Sequence, residues 1–425
     1  MQASNVSQPE RVASAGISSL VKKRLLPMLW RKVGPLPVRL VLGNGAGVSP
    51  PDIAPRFTLW VRDLRTLANL ALDPEVGFGD AWSDGRLRLT GDLVAFLEAV
   101  YQSMEAAARG PGWYVRLFSK WLDSRQANTL EGSRRNIYSH YDLGNDFYRM
   151  WLDPRLVYTC AYFPDASVTL ERAQTAKMDY ICRKLRLQRG ETVIEAGCGW
   201  GALALHMARH YGVRVKAFNI SREQLRHARQ RARDENLDHL VEFIEDDYRN
   251  ASGKFDAFVS VGMLEHVGRE NYSQLGSVIH RLIGDGGRGL LHFIGRREPG
   301  EFSRWIRKRI FPGAHAPTLR EAMQVLEPFG YFVRDVEDLR SHYAKTLEHW
   351  LDQFDKASEK VIAIYGAEFE RAWRLYLAGS IAGFTAGSLQ LFQIVFSGAG
   401  FESMPWTRAE LYSGRGENEW TAATS

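Results

Sequence analysis

The chain has 425 residues, 45% of them hydrophobic and 24% charged. That is the balance of a globular protein long enough for two domains or one enlarged α/β domain, and it excludes wholesale disorder, collagen and coiled coil. The three cysteines, Cys160, Cys182 and Cys198, are too few and odd in number for a disulfide framework, which favours a reducing cytosol. The first residues, MQASNVSQPERVASAG, lack the apolar run of a secretory signal. The nearest approach to a membrane span, residues 383–401, is broken by Gln390, Gln393 and several glycines, so the chain is not expected to cross a bilayer.

The net charge is +6 and unevenly spread. Arg11, Lys22, Lys23, Arg24, Arg31, Lys32 and Arg39 fall in a stretch without acids, interleaved with Leu25, Leu26, Met28, Leu29 and Trp30. A basic amphipathic helix of this kind suits an anionic membrane surface, and less well a nucleic acid. A solvated helix with no ligand explains it equally, and Pro27 is expected to kink or split it.

Residues 1–125 read as a first domain. Phe57, Leu59 and Val61 alternate as in a strand, Asp84-Gly85 and Thr90-Gly91 mark turns, and residues 93–104 have helical spacing. The charged stretch 123–135 reads as a linker. Residues 126–425 form the second domain. Thr169 caps a helix through Met178, Ile181 and Leu185. Apolar strands are expected at 192–196, 213–220, 241–244, 257–261 and 289–293, with helices at 201–211 and 222–236. Such alternation predicts a parallel sheet with crossover helices. The last hundred residues read as two long helices, 341–378 and 379–394.

The sharpest local signal is Val193-Ile194-Glu195-Ala196-Gly197-Cys198-Gly199-Trp200-Gly201, joining the first of these strands to a helix. It lacks the G-x-G-x-x-G spacing of a dinucleotide loop. The pattern acid-x-G-C-G-x-G resembles the first motif of class I S-adenosylmethionine-dependent methyltransferases. Because that cofactor is a cation without phosphate, Glu195 can serve it directly or by ordering the loop. The end of the second strand carries Asn219 and Ile220 but no acid, and Ser221-x-x-Gln224 is a formal capping box. Glu245, Asp246 and Asp247 follow the third strand.

More specific strings run through the second domain in order. They are His140-Tyr141-Asp142-Leu143-Gly144-Asn145-Asp146-Phe147-Tyr148, Tyr158-Thr159-Cys160-Ala161-Tyr162-Phe163, Gly262-Met263-Leu264-Glu265-His266-Val267-Gly268, Leu291-His292-Phe293-Ile294-Gly295, Ile310-Phe311-Pro312-Gly313, Val336-Glu337-Asp338-Leu339 and Tyr343-x-x-Thr346-Leu347-x-x-Trp350. Together they resemble the cyclopropane fatty acid synthase family, which includes the mycolic acid methyltransferases.

The resemblance implies an α/β class I fold, Rossmann-like with a mostly parallel seven-stranded sheet, and a smaller, largely helical N-terminal domain that assists membrane docking or assembly. It implies methyl transfer from S-adenosylmethionine to a cis double bond of a phospholipid acyl chain, then loss of a proton to close a cyclopropane. A bound bicarbonate ion would be the base, held by Glu265, His292, Tyr343 and the backbones of Cys160 and Ile294. Cofactor contacts would be Tyr158, Thr159, Glu195, Gly197, Gly199, Asn219, Ile220, Gln224 and Asp246; no metal is implied. The expected partner is the phospholipid membrane surface, reached from the cytoplasmic side, with a homodimer as a further expectation. Nucleic acid is not expected, since no target-base motif of the Asp/Asn-Pro-Pro-Tyr kind is present.

Taken singly, each catalytic candidate has an ordinary structural reading: a capped strand end at Glu265, a satisfied core histidine at His292, a surface aromatic at Tyr343, a small buried hydrophobe at Cys160. The ordered series outweighs those readings. Departures from the family pattern are Asn219 for threonine, Thr385 and Gly387 for two arginines, and an unusual His315. They leave open a methyl- or methylene-branched product, and, less readily, a small-molecule methyltransferase.

Overall fold

The computed structural model describes residues 25–34, 36–43, 45, 47–50, 53–108, 143–300, 302–403 and 405–412. The basic residues before Leu25, the linker 123–135 and the string His140-Tyr141-Asp142 lie outside these. The chain divides into two compact units. One comprises residues 1–124, 303–305 and 358–386; the other comprises 125–302, 306–357 and 387–425.

In the first unit, α1 (Leu26–Val33) buries Leu26 and Leu29. Pro27 stands in its first turn, where the missing N–H has no intrahelical partner to lose, so it starts the helix and does not kink it. A four-stranded sheet has the order β2 (Gly47–Val48), β1 (Val38–Leu42), β3 (Phe57–Val61), β4 (Leu87–Thr90). In β3 the expected alternation holds: Phe57, Leu59 and Val61 are buried, while Thr58 and Trp60 face outward. Helices α2 (Leu64–Leu72), α3 (Pro74–Ser83) and α4 (Leu93–Ala108) complete the N-terminal part, with Phe96 packed on Phe57 and Phe78 at centroid distances of 5.6 and 5.8 Å.

The helix Ala367–Thr385 also belongs to this unit, contrary to the single boundary expected near residue 125. Trp82 donates its indole N–H to the carbonyl of Arg371 at 3.2 Å, and Arg371 Nε donates to the carbonyl of Ser83 at 2.8 Å. Bonds across almost three hundred residues leave no trace in local spacing. Trp305 is likewise buried, with its ring over Gly79.

The second unit opens with α5 (Asn145–Arg149) and α6 (Leu170–Lys184), the latter capped by Thr169 as expected. Its sheet is built from β5 (Thr192–Ala196), β6 (Arg214–Asn219), β7 (Val241–Glu245), β8 (Ala257–Val261), β9 (Arg288–Gly295), β10 (Phe332–Asp338) and β11 (Gln390–Ser397). The order is β10-β11-β9-β8-β5-β6-β7, with β11 antiparallel to both neighbours and the rest parallel. Helices α7 (Ala202–Tyr211), α8 (Arg222–Asp234), α9 (Leu264–Val267), α10 (Tyr272–Ile283) and α11 (Arg340–Tyr365) lie between its strands. Two apolar clusters, one containing Val193, Val215 and Val259 and the other Ile194, Phe258 and Phe293, cover the two sheet faces.

The C-terminal region corrects the sequence reading. The long helix ends at Tyr365, where Gly366 takes a φ of 87°, and residues 390–394 are strand. Residues 391–397 are all buried, Gln393 and Ser397 included, so they show no apolar/polar alternation that would separate a strand from a buried helix.

Candidate functional site

At the carboxyl end of β5 the glycine loop turns into α7. The amides of Gly197 and Cys198 donate to the carbonyl of Phe218 at 2.9 and 3.1 Å, which pins the loop beside β6. Gly199 and Gly201 both have positive φ, 54° and 79°. A Cβ on Gly201 would meet the Phe243 ring at 2.5 Å, so packing demands that glycine. A Cβ on Gly199 would meet nothing within 4 Å; it would project into open space at the loop, as a ligand cradle requires. Glu195 is buried, and its Oε2 has no hydrogen-bond partner among the described residues. Burial raises the pKa of this carboxyl, opposed by attraction to Lys177. A buried acid that is held by the Ala204 amide and has one oxygen left over, beside an open glycine cradle, fits a cationic ligand, whose charge would favour the ionised form.

Asn219 ends β6 and organises the neighbouring turn. Its Nδ2 donates to the carbonyl of Gly199 at 3.2 Å and to Gln224 Oε1 at 2.8 Å, while its Oδ1 accepts from the amide of Ser221 at 3.2 Å. Ser221 does cap α8, but Gln224 is not the reciprocal arm of the box: Asn219 takes that place and holds the Gln224 side chain. Ile220 lies between them, partly exposed. Asp246 follows β7 and accepts from the amide of Asp247 at 2.7 Å and from Asn250 at 2.9 Å, which orders that loop.

The Tyr158-Thr159-Cys160 strip is held by two polar residues on α6. Gln174 donates to the carbonyl of Thr159 at 2.9 Å, and Lys177 Nζ donates to the Thr159 hydroxyl at 2.8 Å. Both are buried, and burial lowers the pKa of the Lys177 ammonium while Cys160, Asp153 and Glu195 support its charge. The Ala161 amide donates to the Thr346 hydroxyl at 3.0 Å, one helical turn from Tyr343 on α11. Burial raises the Cys160 thiol pKa, so the sulfur stays neutral, in keeping with a part played by its backbone.

Aromatic rings join these pieces. Trp350 lies 5.3 Å from Tyr158 and 6.0 Å from Tyr343, centroid to centroid, and Trp151 and Tyr148 pack on Tyr158 at 5.2 and 5.6 Å. Tyr148 also meets Trp200 of the glycine loop at 4.9 Å. Packed rings of this kind can exclude water, and an aromatic face attracts positive charge.

Glu265 on α9 accepts from the backbone amide of Ile294 on β9 at 2.6 Å. Burial pushes its carboxyl up to about 7. His292 lies two residues earlier on β9, so its side chain shares a sheet face with Ile294. Its Nδ1 stands 2.9 Å from Gln393 Nε2, and burial holds its pKa well below the ordinary value. Glu265 Oε2 and His292 Nε2 are both buried without a hydrogen-bond partner among the described residues. The loop carrying His315 is docked here through its amide, which donates to the carbonyl of Glu265 at 2.8 Å.

The structure therefore groups Glu265, His292 and Ile294 directly, and links Cys160 with Tyr343 through Thr346. The amide of Gly262 donates to the carbonyl of His292 at 2.8 Å, and a Cβ on Gly262 would meet the Thr159 methyl at 3.1 Å, which connects the two groups. One acid oxygen and one ring nitrogen without partners fit a small oxyanion. Sequence reasoning missed Gln174, Lys177, Lys184 and Gln393. Gln393 in an apolar strand was a signal; the three on α6 stand among many other polar residues, and nothing local marks them.

The family model described as mycolic acid cyclopropane synthetase matches residues 128–394, more than half of the chain. The chain is 35% identical over 396 residues to a probable fatty acid methyltransferase of Pseudomonas putida, covering 89% of this chain and 96% of that protein. It is 41% identical over 284 residues to the cyclopropane-fatty-acyl-phospholipid synthase of Escherichia coli strain K12, covering 67% and 71%. The crystal structure of the mycolic acid cyclopropane synthase CmaA1 complexed with SAH and CTAB superposes with a TM-score of 0.59 at 31% identity, over 62% of this chain and 97% of that one. The fold is that of a class I S-adenosylmethionine-dependent methyltransferase, and the chain belongs to the mycolic acid cyclopropane synthetase family.

Proposed function

We propose that the protein methylates the cis double bond of an unsaturated phospholipid acyl chain and closes a cyclopropane there, working at the cytoplasmic surface of a membrane. The observation that carries this reading is the pair of orphaned buried atoms, Glu265 Oε2 and His292 Nε2, tied through Gly262 to the strip of Thr159, whose neighbour Tyr158 packs on Trp350. When bound, S-adenosylmethionine supplies the methyl group and bicarbonate accepts the proton.

The chain's own residues do the rest. The glycine loop and Glu195, with Asn219, Ile220, Gln224, Asp246, Tyr158 and Thr159, would hold the cofactor. Glu265, His292, Tyr343 and the backbones of Cys160 and Ile294 would hold the anion. An alkene is a weak nucleophile, so alignment and exclusion of water must supply much of the rate. The aromatic rings stabilise positive charge that develops on the acyl chain. Among the described residues no helix is long and apolar enough to cross a membrane.

A second reading, a methyl- or methylene-branched product, is favoured by the similarity to the Pseudomonas putida fatty acid methyltransferase over most of both chains. Incubation with labelled S-adenosylmethionine and vesicles of unsaturated phospholipid, followed by mass spectrometry and proton NMR of the acyl chains, separates the two. Upfield ring-proton resonances are expected. Label in a branched chain without them would replace the first reading by the second.

A further inference from the structure

We propose that Gln393, itself oriented by Lys184, is a positioning residue that fixes His292 as the neutral Nε2–H tautomer, so that this ring serves the site as a hydrogen-bond donor and not as a base. The inference deepens the reading above and rests on His292 facing the bound anion.

Residues 292 and 393 are directly opposed in the antiparallel β9–β11 pair, so their side chains lie on one face. Two contacts decide the Gln393 amide orientation. Lys184 Nζ lies 2.9 Å from Gln393 Oε1, and an ammonium can only donate, so the carbonyl must face it. The NH2 group is then left for His292 Nδ1, 2.9 Å away. A donor pointing at Nδ1 requires a bare nitrogen there, and the ring proton is left on Nε2.

Lys184 is itself fixed. Its side chain is fully buried, its Nζ lies 2.5 Å from Glu337 and 3.5 Å from Asp335 on β10, and the Tyr180 ring stands 4.5 Å away. The two acids hold the amine in place, and a donor facing the Gln393 carbonyl keeps the amide from flipping. Protonation of Nδ1 would place two donors face to face. Lys177 on α6 also disfavours an imidazolium, and the Glu265 carboxyl on α9 is engaged through one oxygen by the Ile294 amide. A histidine held this way cannot accept the proton lost in ring closure; it can only donate to an acceptor such as a carbonate or carboxylate oxygen.

The test uses the full-length protein with 15N-labelled histidine, the His292 resonances being assigned by their loss in His292→Ala. The wild-type ring is expected to show the neutral Nε2–H pattern and no titration across the neutral pH range. Gln393→Glu keeps a partner for Lys184 but gives Nδ1 an acceptor, which raises the His292 pKa. Below the new pKa the imidazolium still carries Nε2–H. Above it the proton stays on Nδ1, and Nε2 is bare. The variant should therefore lose kcat by about tenfold or more as pH rises through that value, the size of one charge-assisted hydrogen bond, with S-adenosylmethionine affinity within about twofold of wild type. A purely structural role would lower kcat equally at every pH. A wild-type spectrum with Nδ1–H or a titrating His292 overturns the proposal, and does so even where the variant fails to fold. A branched product would instead overturn the ring-forming reading and leave the tautomer standing.

Discussion

The amide of Ile294 donates to Oε1 of Glu265 at 2.6 Å, while Oε2 of the same buried carboxyl has no partner among the described residues. One oxygen is thus fixed to the sheet and the other is left for a ligand. A half-satisfied buried acid costs stability in its ionised form, which is why its pKa rises to about 7.

Glu265→Gln separates a functional cost from a structural one. Turnover should fall by about a hundredfold with near-normal S-adenosylmethionine affinity, since the interaction is used after the cofactor binds. The folded pKa lies above the ordinary value, so the contribution of Glu265 to stability is full below pH 4.5 and lost as pH rises through about 7. The loss is on the order of 3 kcal/mol, and the glutamine variant should escape it. Urea unfolding at both ends of that window, with turnover on the same samples, checks both. A fully active variant, indifferent to removal of bicarbonate, would end the proposed role of Glu265.

Gly199→Val should remove cofactor binding. The new side chain would occupy the open cradle, and a branched residue at φ 54° adds about 1–3 kcal/mol of strain. Calorimetry should show S-adenosylmethionine affinity reduced by about a hundredfold or more, with a melting temperature only a few degrees lower. Unchanged affinity in the folded variant would exclude the loop as the binding site.

Lys177→Met should destabilise the fold by about 1–3 kcal/mol, because it leaves the buried Thr159 hydroxyl without its donor and removes the cation that favours the ionised Glu195 carboxyl. Adding Glu195→Gln should recover part of the loss, since the uncompensated acid goes with it. A double-mutant cycle by denaturant titration measures the coupling. Strictly additive effects would show that the two residues do not interact.

Membrane association should be electrostatic in part. The basic residues 11–24 lie outside the described structure; beyond them Lys308 and Arg309 are exposed. Vesicles with anionic lipid are expected to bind the protein more tightly than zwitterionic ones, with the difference shrinking as salt rises. Lys22→Glu, Lys23→Glu and Arg24→Glu together should remove most of it. Equal flotation with both vesicle types at low salt would count against the proposal.

Much of the catalytic unit was legible in the sequence because its signals are local. Strand 192–196, the three loop glycines and the Thr169 cap each follow from neighbouring residues, through apolar run length, positive φ and side-chain-to-amide geometry. The Ser221-x-x-Gln224 box was legible only by half, because its second arm depends on Asn219 at the end of the preceding strand.

What the tertiary structure alone decided involves residues brought together from afar. Whether 390–394 is helix or strand turns on the free edge of β9, which no local window contains. The grouping of the helix Ala367–Thr385 with the N-terminal unit turns on Arg371 meeting residues 82 and 83. Lys184, Gln393 and His292 are separated by one to two hundred residues, and each alone is an ordinary polar residue on a buried element. Backbone preference acts over a few residues, whereas proton placement on a buried ring depends on whichever donor or acceptor the fold delivers to it.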